Sequence, residues 1–175
     1  MNKQSTYFRS VIVAIAGTLT AITFAQTPVI ESKAKNSVGV YAIDSVGGTV
    51  TDTRSGLMWD RCALGQSGPD CATGTAGSYT LTDALSAASA MGSYKGFNNW
   101  RLPGLDELEG LAREYRSGPD VGDLAFPLTP AAQFWTLQPA CCGVVLTWQV
   151  NFGNGSSNLD VRTNVNRVRL VRVGK

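Results

Sequence analysis

The sequence predicts an α+β domain in which two helices pack on a small antiparallel sheet. Three observations lead there. Two stretches of helical periodicity, opening at Thr80 and after Pro103, fill the middle of the chain; a hairpin pattern precedes them; strand patterns follow them to the C-terminus. No segment repeats another.

Residues 1–25 read as a signal peptide to be set aside from the fold. Lys3 and Arg9 form a basic lead, Val11 to Phe24 is apolar and uncharged, and Thr23 and Ala25 are the small residues a signal peptidase reads. The run of 14 residues is shorter than the ~20 a spanning helix needs, and no cysteine follows it to carry a lipid. Export to the periplasm, the cell surface or the medium is therefore expected, with no stable membrane span after cleavage. Of 15 Lys and Arg residues, Lys3 and Arg9 leave with this segment, so 13 cations face 13 carboxylates. That balance excludes a global electrostatic case for nucleic acid. Residues 26–38 lack periodicity, and 26–45 are expected as a flexible lead-in; residues 46–175 are expected as one domain, a monomer.

Within the domain, Gly48 to Trp59 reads as a hairpin: Thr49-Val50-Thr51 is strand-like, Asp52 to Gly56 is turn chemistry, and Leu57-Met58-Trp59 returns. Cys62 to Gly77 is rich in Gly, Ser, Pro and Asp, hence a loop. Thr80, with Asp83 three residues on, approximates a capping box. Leu81, Ala84, Leu85, Ala88 and Met91 then recur at helical spacing until Gly92. In the second helix Leu105, Leu108, Leu111, Ala112 and Tyr115 form one stripe, halted by Ser117-Gly118-Pro119. Phe134 to Leu137 is a strand. Leu146 to Phe152 alternates strictly, so Leu146, Trp148, Val150 and Phe152 share a face, and Trp148 is expected in the core. Gly153 to Asn158 is a turn or exposed loop, and Val168 to Val173 is a closing strand.

The side-chain inventory narrows the chemistry. The chain has no histidine, which removes histidine-based triads and most zinc, copper and non-haem iron sites. Of its four cysteines, Cys62 and Cys71 flank a short turn-rich loop, and in an exported chain they are expected to form a disulfide. Adjacent Cys141 and Cys142 stay open as two thiols or as partners in crossed pairing. The loop 153–160 offers only Asp160 as a carboxylate, too little for calcium. No metal or other cofactor is expected. Arg162, Arg167, Arg169, Arg172 and Lys175 crowd the last residues with no acid among them, and are expected to be solvated on the outer face of a strand.

One stretch admits two readings. In NWRLPGLDELEG, Asp106, Glu107 and Glu109 follow Trp100, Arg101 and Pro103 within a helical turn or two. The carboxylates are either an acid/base site or part of the frame, placed where the helix dipole favours negative charge.

Taken in order, TVTDTRSGLMWDRC, the Thr80 helix, NWRLPGLDELEGL, the proline-rich 126–130, Phe134-Trp135, WQVNFGNGS and VRLVR resemble the Lcl C-terminal-domain family. Its fold is similar to C-type-lectin-like domains and to the formylglycine-generating (sulfatase-modifying factor) superfamily. The resemblance implies that the first and last strands pair. It places Trp59, Trp100, Arg101, Pro103, Glu107, Trp135 and Trp148 in the frame, with Trp100 packed beneath and Arg101 held by a helix carboxylate or backbone carbonyls. The superfamily's oxidases hold copper between two cysteines; adjacency of Cys141 and Cys142 spoils that linear geometry, and no enzyme is expected. What the resemblance leaves is display of loops on a rigid scaffold, as in adhesins and variable receptor proteins. The candidate contacts are Gln138 to Val145 and Asn154 to Asn166, with Gln138, Asn154, Ser156, Asn158, Asp160, Arg162, Asn164, Asn166 and Arg167 as hydrogen-bonding groups. The expected function is a non-catalytic binding or adhesion module for a glycan or protein, with an anionic polysaccharide meeting the basic end. A formylglycine-generating-type oxidase and a structural envelope component are the alternatives.

Overall fold

Alternation of apolar and polar residues extends further upstream than expected. The structure is a computed structural model that describes residues 36–117, 119–140 and 145–174. The segment 1–25, Cys141, Cys142 and Lys175 lie outside the described residues. Within the segment read as a flexible lead-in, β1 (Asn36–Val38) and β2 (Tyr41–Asp44) are strands, and β2 buries Tyr41 and Ile43. The expected hairpin follows as β3 (Thr49–Asp52) and β4 (Leu57–Asp60). Its turn is fixed by the Asp52 carboxylate, which accepts from Arg54 N at 2.8 Å, and by Gly56, whose φ of +70° suits glycine.

The last strand, β10 (Val171–Val173), pairs antiparallel with β4, Val171 opposite Trp59, so the five-stranded order is β1-β2-β3-β4-β10. This corrects the expectation that the first strand, read at Thr49-Val50-Thr51, would pair with the closing strand. The far edge of β3 is already taken by β2, so the edge left for the C-terminus is that of β4, and β1 and β10 end on opposite sides of the sheet.

After β4 the chain makes a small ribbon, β5 (Gln66–Ser67) with β6 (Thr73–Gly74). The Cys62–Cys71 disulfide closes its loop with a Cα–Cα distance of 5.4 Å. Helix α1 (Leu81–Ala90) opens as the sequence predicts: Thr80 Oγ1 accepts from Asp83 N at 3.2 Å and donates to the Asp83 carboxylate at 2.7 Å. Leu81, Ala84 and Ala88 are buried, while Leu85 is exposed. Helix α2 (Leu105–Ser117) buries Leu108, Leu111 and Ala112 and packs Leu105 and Tyr115 beside them. A short α3 (Pro119–Ala125) was not foreseen; proline at its first position starts a helix as readily as it stops the previous one.

The second sheet is β7 (Gln133–Pro139), β8 (Leu146–Asn151) and β9 (Ser157–Val161), each pair antiparallel. β9 corrects the reading of this stretch as loop: Leu159 and Val161 alternate with Asn158 and Asp160, a pattern too short and polar to stand out beside Gly153 and Gly155. The molecule is thus α+β with three antiparallel sheets. Among the described residues no helix is long and apolar enough to cross a membrane.

Period-2 alternation divides the interior into two cores. Tyr41, Val50, Trp59, Phe134, Val150 and Val171 meet α2 in one; Trp100, Leu102, Trp135, Val168 and Leu170 meet α1 in the other. Neighbouring residues such as Phe134 and Trp135 therefore face opposite ways. Between them lies Arg169, 0 % exposed. Its Nη1 donates to the carbonyls of Asp60 (2.9 Å) and Arg61 (2.6 Å), its Nη2 to Thr129 Oγ1 (2.7 Å), and its carbon lies 4.9 Å from the Phe126 ring centroid and 5.9 Å from that of Phe134. Arg172 is buried too, 3.9 Å over the Phe97 ring, with Nε donating to Asn99 at 2.6 Å. The expectation of solvated arginines fails at both positions, because a planar, weakly hydrated guanidinium stacks on rings and forks onto carbonyls that a strand end leaves unpaired. Burial lowers the Arg169 pKa to about 10, so it keeps its charge at neutral pH.

Two outcomes follow from this packing. Arg169→Ala strands two carbonyls and a hydroxyl in a dry interior and opens a cavity, so chemical denaturation should show a loss of at least about 3 kcal/mol. Arg169→Lys should lose nearly as much, since an ammonium cannot reproduce the fork; stability close to the parent's would refute the assignment. Replacing Cys62 and Cys71 together by alanine should cost about 2–3 kcal/mol by the loop-entropy estimate, read from urea midpoints with and without reductant.

Candidate functional site

The segment Trp100 to Pro103 ties the two sheets. Arg101 and Val171 exchange both backbone hydrogen bonds at 2.9 Å, and Pro103 O accepts from Leu137 N at 2.7 Å. Trp100 is buried in the α1 core, with its indole N–H on Tyr94 O at 2.9 Å. The Arg101 guanidinium forks onto Glu107, both contacts at 2.7 Å, and reaches Leu102 O at 3.1 Å; Gly104 N also donates to Glu107 at 2.8 Å. The hydrogen bonds from Arg101, with the one from Gly104 N, hold the Glu107 carboxyl below its ordinary value, the opposite of what a general acid needs. Glu109 accepts from Ser157 Oγ. Two of the three carboxylates in the motif are therefore frame. Asp106, in the first turn of α2, is exposed and has no partner among the described residues.

Trp148 stands close to it. On β8 it pairs with Leu159 of β9, and Leu146 pairs with Val161; directly opposed residues share a face. This is the face α2 covers, but only at its Val150 end. Leu159 and Leu146 are 42 % and 36 % exposed, and Trp148 is half-buried and belongs to neither core. The expectation of Trp148 in the core is thus corrected: the alternation was right, but the helix stops short of that end of the face. Trp148, Gln138, Asp106, Glu107 and Gly104 line a depression of about 310 Å³. The Trp135 indole N–H is spent on Tyr79 O, whereas that of Trp148 donates to no group among the described residues.

The polar loop residues expected as ligand contacts are mostly used on one another. Asn154 Oδ1 accepts from Ser156 N at 2.9 Å and Oγ at 2.8 Å, and Asn158 donates to Ser156 Oγ at 3.1 Å. Asp160 accepts from Asn164 at 2.7 Å and Asn166 at 2.8 Å, and Asn166 is buried. Arg162 donates to Thr147 Oγ1 at 3.0 Å, and Arg167 to Ser78 Oγ at 2.8 Å and to Ala76 O. These groups shape turns. Gln138 alone of that set sits beside Trp148.

A second opening adjoins the first across Asp106 and Glu107. Between the β3–β4 turn and α2 lies a cleft of about 380 Å³, floored by Tyr41, Trp59 and Leu111 and bounded by Arg54, Gly110 and Glu114. Arg54 crosses its rim to Glu114 at 3.0 Å. Gly110 is interior to α2, where glycine costs about 1 kcal/mol relative to alanine. A Cβ there would meet nothing within 4 Å, so packing does not demand the glycine. Sequence reasoning passed over Gly110, though an isolated glycine inside a helical stripe was the available signal. Tyr41 gave none, since its segment was read as a flexible lead-in.

Glu107 keeps 26 % side-chain exposure, so its pair with Arg101 is worth less than a buried one. Arg101→Ala should cost about 1 kcal/mol at pH 7. The folded carboxyl titrates below its ordinary 4.5, so this contribution is present above that value and is lost as pH falls through the lowered one. Urea unfolding of both proteins should show the gap closing on acidification; a gap unchanged down to pH ~2 would show that it is not electrostatic.

A comparison with protein-family models matches the Lcl C-terminal domain over residues 48–172, which takes in the hairpin, both helix stripes, the second sheet and most of β10. No curated protein matches the chain. Apart from Tyr41, every side chain described in the two openings lies inside the matched span, which covers well over half of the sequence, and the chain belongs to the Lcl C-terminal domain family.

Proposed function

We propose that the chain is an exported, non-catalytic ligand-binding module with a C-type-lectin-like fold, acting as a monomer at the cell surface, in the periplasm or in the medium. One observation carries the binding reading: Trp148 presents a half-buried indole whose N–H, like the neighbouring Asp106 carboxylate, has no partner among the described residues, next to the exposed amide of Gln138. An aromatic surface ringed by a few convergent polar groups is what a small-ligand site requires. The features offered for catalysis point elsewhere. Glu107 is locked by Arg101, which holds it as a carboxylate rather than as a general acid.

The basic C-terminal end supports the reading less than its composition suggests, because Arg169 and Arg172 are buried and Arg162 and Arg167 are engaged. A screen of glycans and envelope polymers at low and physiological salt separates the two surfaces. Trp148→Ala should abolish binding without shifting the melting temperature, with only modest dependence on salt. Steep weakening with salt, together with loss of binding in Arg162→Ala/Arg167→Ala but not in Trp148→Ala, would move the site to the basic end.

A further inference from the structure

We propose that the two openings beside Asp106 form one groove for a linear saccharide chain that bears amino groups and no sulfate or carboxylate. One sugar lies on Trp148 and the chain continues into the cleft beneath Gly110. The inference rests on the binding reading of Trp148 and extends it to a ligand class and a second subsite.

Four observations carry it. Asp106 and Glu107 line both openings, so the openings adjoin along the first turns of α2. The floor of the cleft holds Tyr41 and Trp59, each 2 % exposed, whose hydroxyl and indole N–H meet no partner among the described residues. Neither atom is among the buried side-chain nitrogens and oxygens left without a partner, so both reach the open space of the cleft, where the Tyr41 hydroxyl lies near the charges of Asp52, Glu114 and Arg54 without bonding to them. Ligand hydroxyls entering the cleft would complete both groups. Gly110 is the third observation: a helix-weakening residue, with open space where its side chain would be, borders the same cleft.

Charge selects the ligand. At the Trp148 end, Glu107 is neutralised by Arg101, and the unpaired charge among the lining residues is the Asp106 carboxylate. An ammonium on the sugar gains both that carboxylate and the face of the indole, while a sulfate is repelled. In the cleft, Arg54 is held by Glu114 at 3.0 Å and Asp52 at 3.7 Å, and the carboxylates of Asp52, Asp106, Glu107 and Glu114 outnumber the guanidiniums of Arg54 and Arg113 in the lining. That lining gives a chain of hydroxyls paired donors and acceptors without favouring an anion. Pyranose rings present an apolar C–H face to an aromatic ring and equatorial hydroxyls to the rim, which matches an aromatic floor with charged walls.

Calorimetric titration of the mature chain with glucosamine, from the monomer to the hexamer, tests this, with N-acetylglucosamine and glucuronate oligomers beside them. Affinity should climb at least about tenfold from monomer to hexamer as the second subsite fills. Gly110→Ala should remove that climb and leave monomer binding intact, while raising the melting temperature because the helix gains alanine. Tyr41→Phe should blunt the climb without filling the cleft. Asp106→Asn should erase the preference for free amine over N-acetyl. Hexamer binding by Gly110→Ala equal to the parent's would overturn the second subsite while leaving Trp148 as a site. Monomer binding unchanged in Trp148→Ala would overturn the reading beneath it as well. Tighter binding of glucuronate oligomers would reverse the charge assignment, and no binding of any oligomer would defeat the proposal outright.

Discussion

A single buried guanidinium, held by carbonyls, a hydroxyl and rings rather than by an ion pair among the described residues, joins the parts of this molecule. Arg169 enters from the stretch just before β10 and receives the carbonyls with which β4 ends, the hydroxyl of Thr129 after α3, and the faces of Phe126 and Phe134. Taking a charge out of water is expensive, and the nearby Asp60 carboxylate favours the charge without hydrogen bonding to it. Three charge-assisted hydrogen bonds and two aromatic faces offset the cost instead. The consequence is geometric. The end of the first sheet, the segment after α3 and the start of β7 are fixed relative to one another by one planar group, and the two cores form on either side of it.

Given that joint, the position of α2 decides which surface stays open. The helix lies against β7 and β8 and covers Val150 and Phe152, and its N-terminal turn is anchored by the Arg101–Glu107 fork. Its 13 residues span about 20 Å. Beyond them the same sheet face continues through Trp148, Leu146, Leu159 and Val161 with nothing over it among the described residues. Exposed apolar side chains gathered on one face, bordered by polar groups, are what binding surfaces look like. The frame and the candidate site are therefore made by the same helix, one by what it covers and the other by where it stops.

The motif NWRLPGLDELEG shows how closely the two roles lie. Arg101 and Glu107 lock each other, Glu109 takes a hydroxyl from β9, and Asp106 stands at the rim of both openings with no partner among the described residues. Four residues further on, Gly110 gives up helix stability with no packing gain. A local rule broken without a structural return is where function is to be sought, since natural sequences tolerate such losses at sites that need the space.

Local physics left a clear record in the sequence. The Asp52–Gly56 turn, the Thr80 cap, the stripes of α1 and α2, the β8 alternation and the Cys62–Cys71 loop each depend on residues close in the chain, so spacing and side-chain chemistry alone predict them. Their ordered succession carried the family. What the sequence did not disclose depends on distant partners. The edge β10 would take was set by β2, whose four residues are too few for periodicity to speak. The arginines of the last stretch became interior because rings from the turn after α3, from β7 and from the loop before Trp100 meet them there, and a charge run looks the same whether solvent or aromatic faces surround it. Trp148 showed its face but not its cover: alternation fixes which side of a strand a residue takes, and only tertiary packing fixes how far a helix reaches along that side.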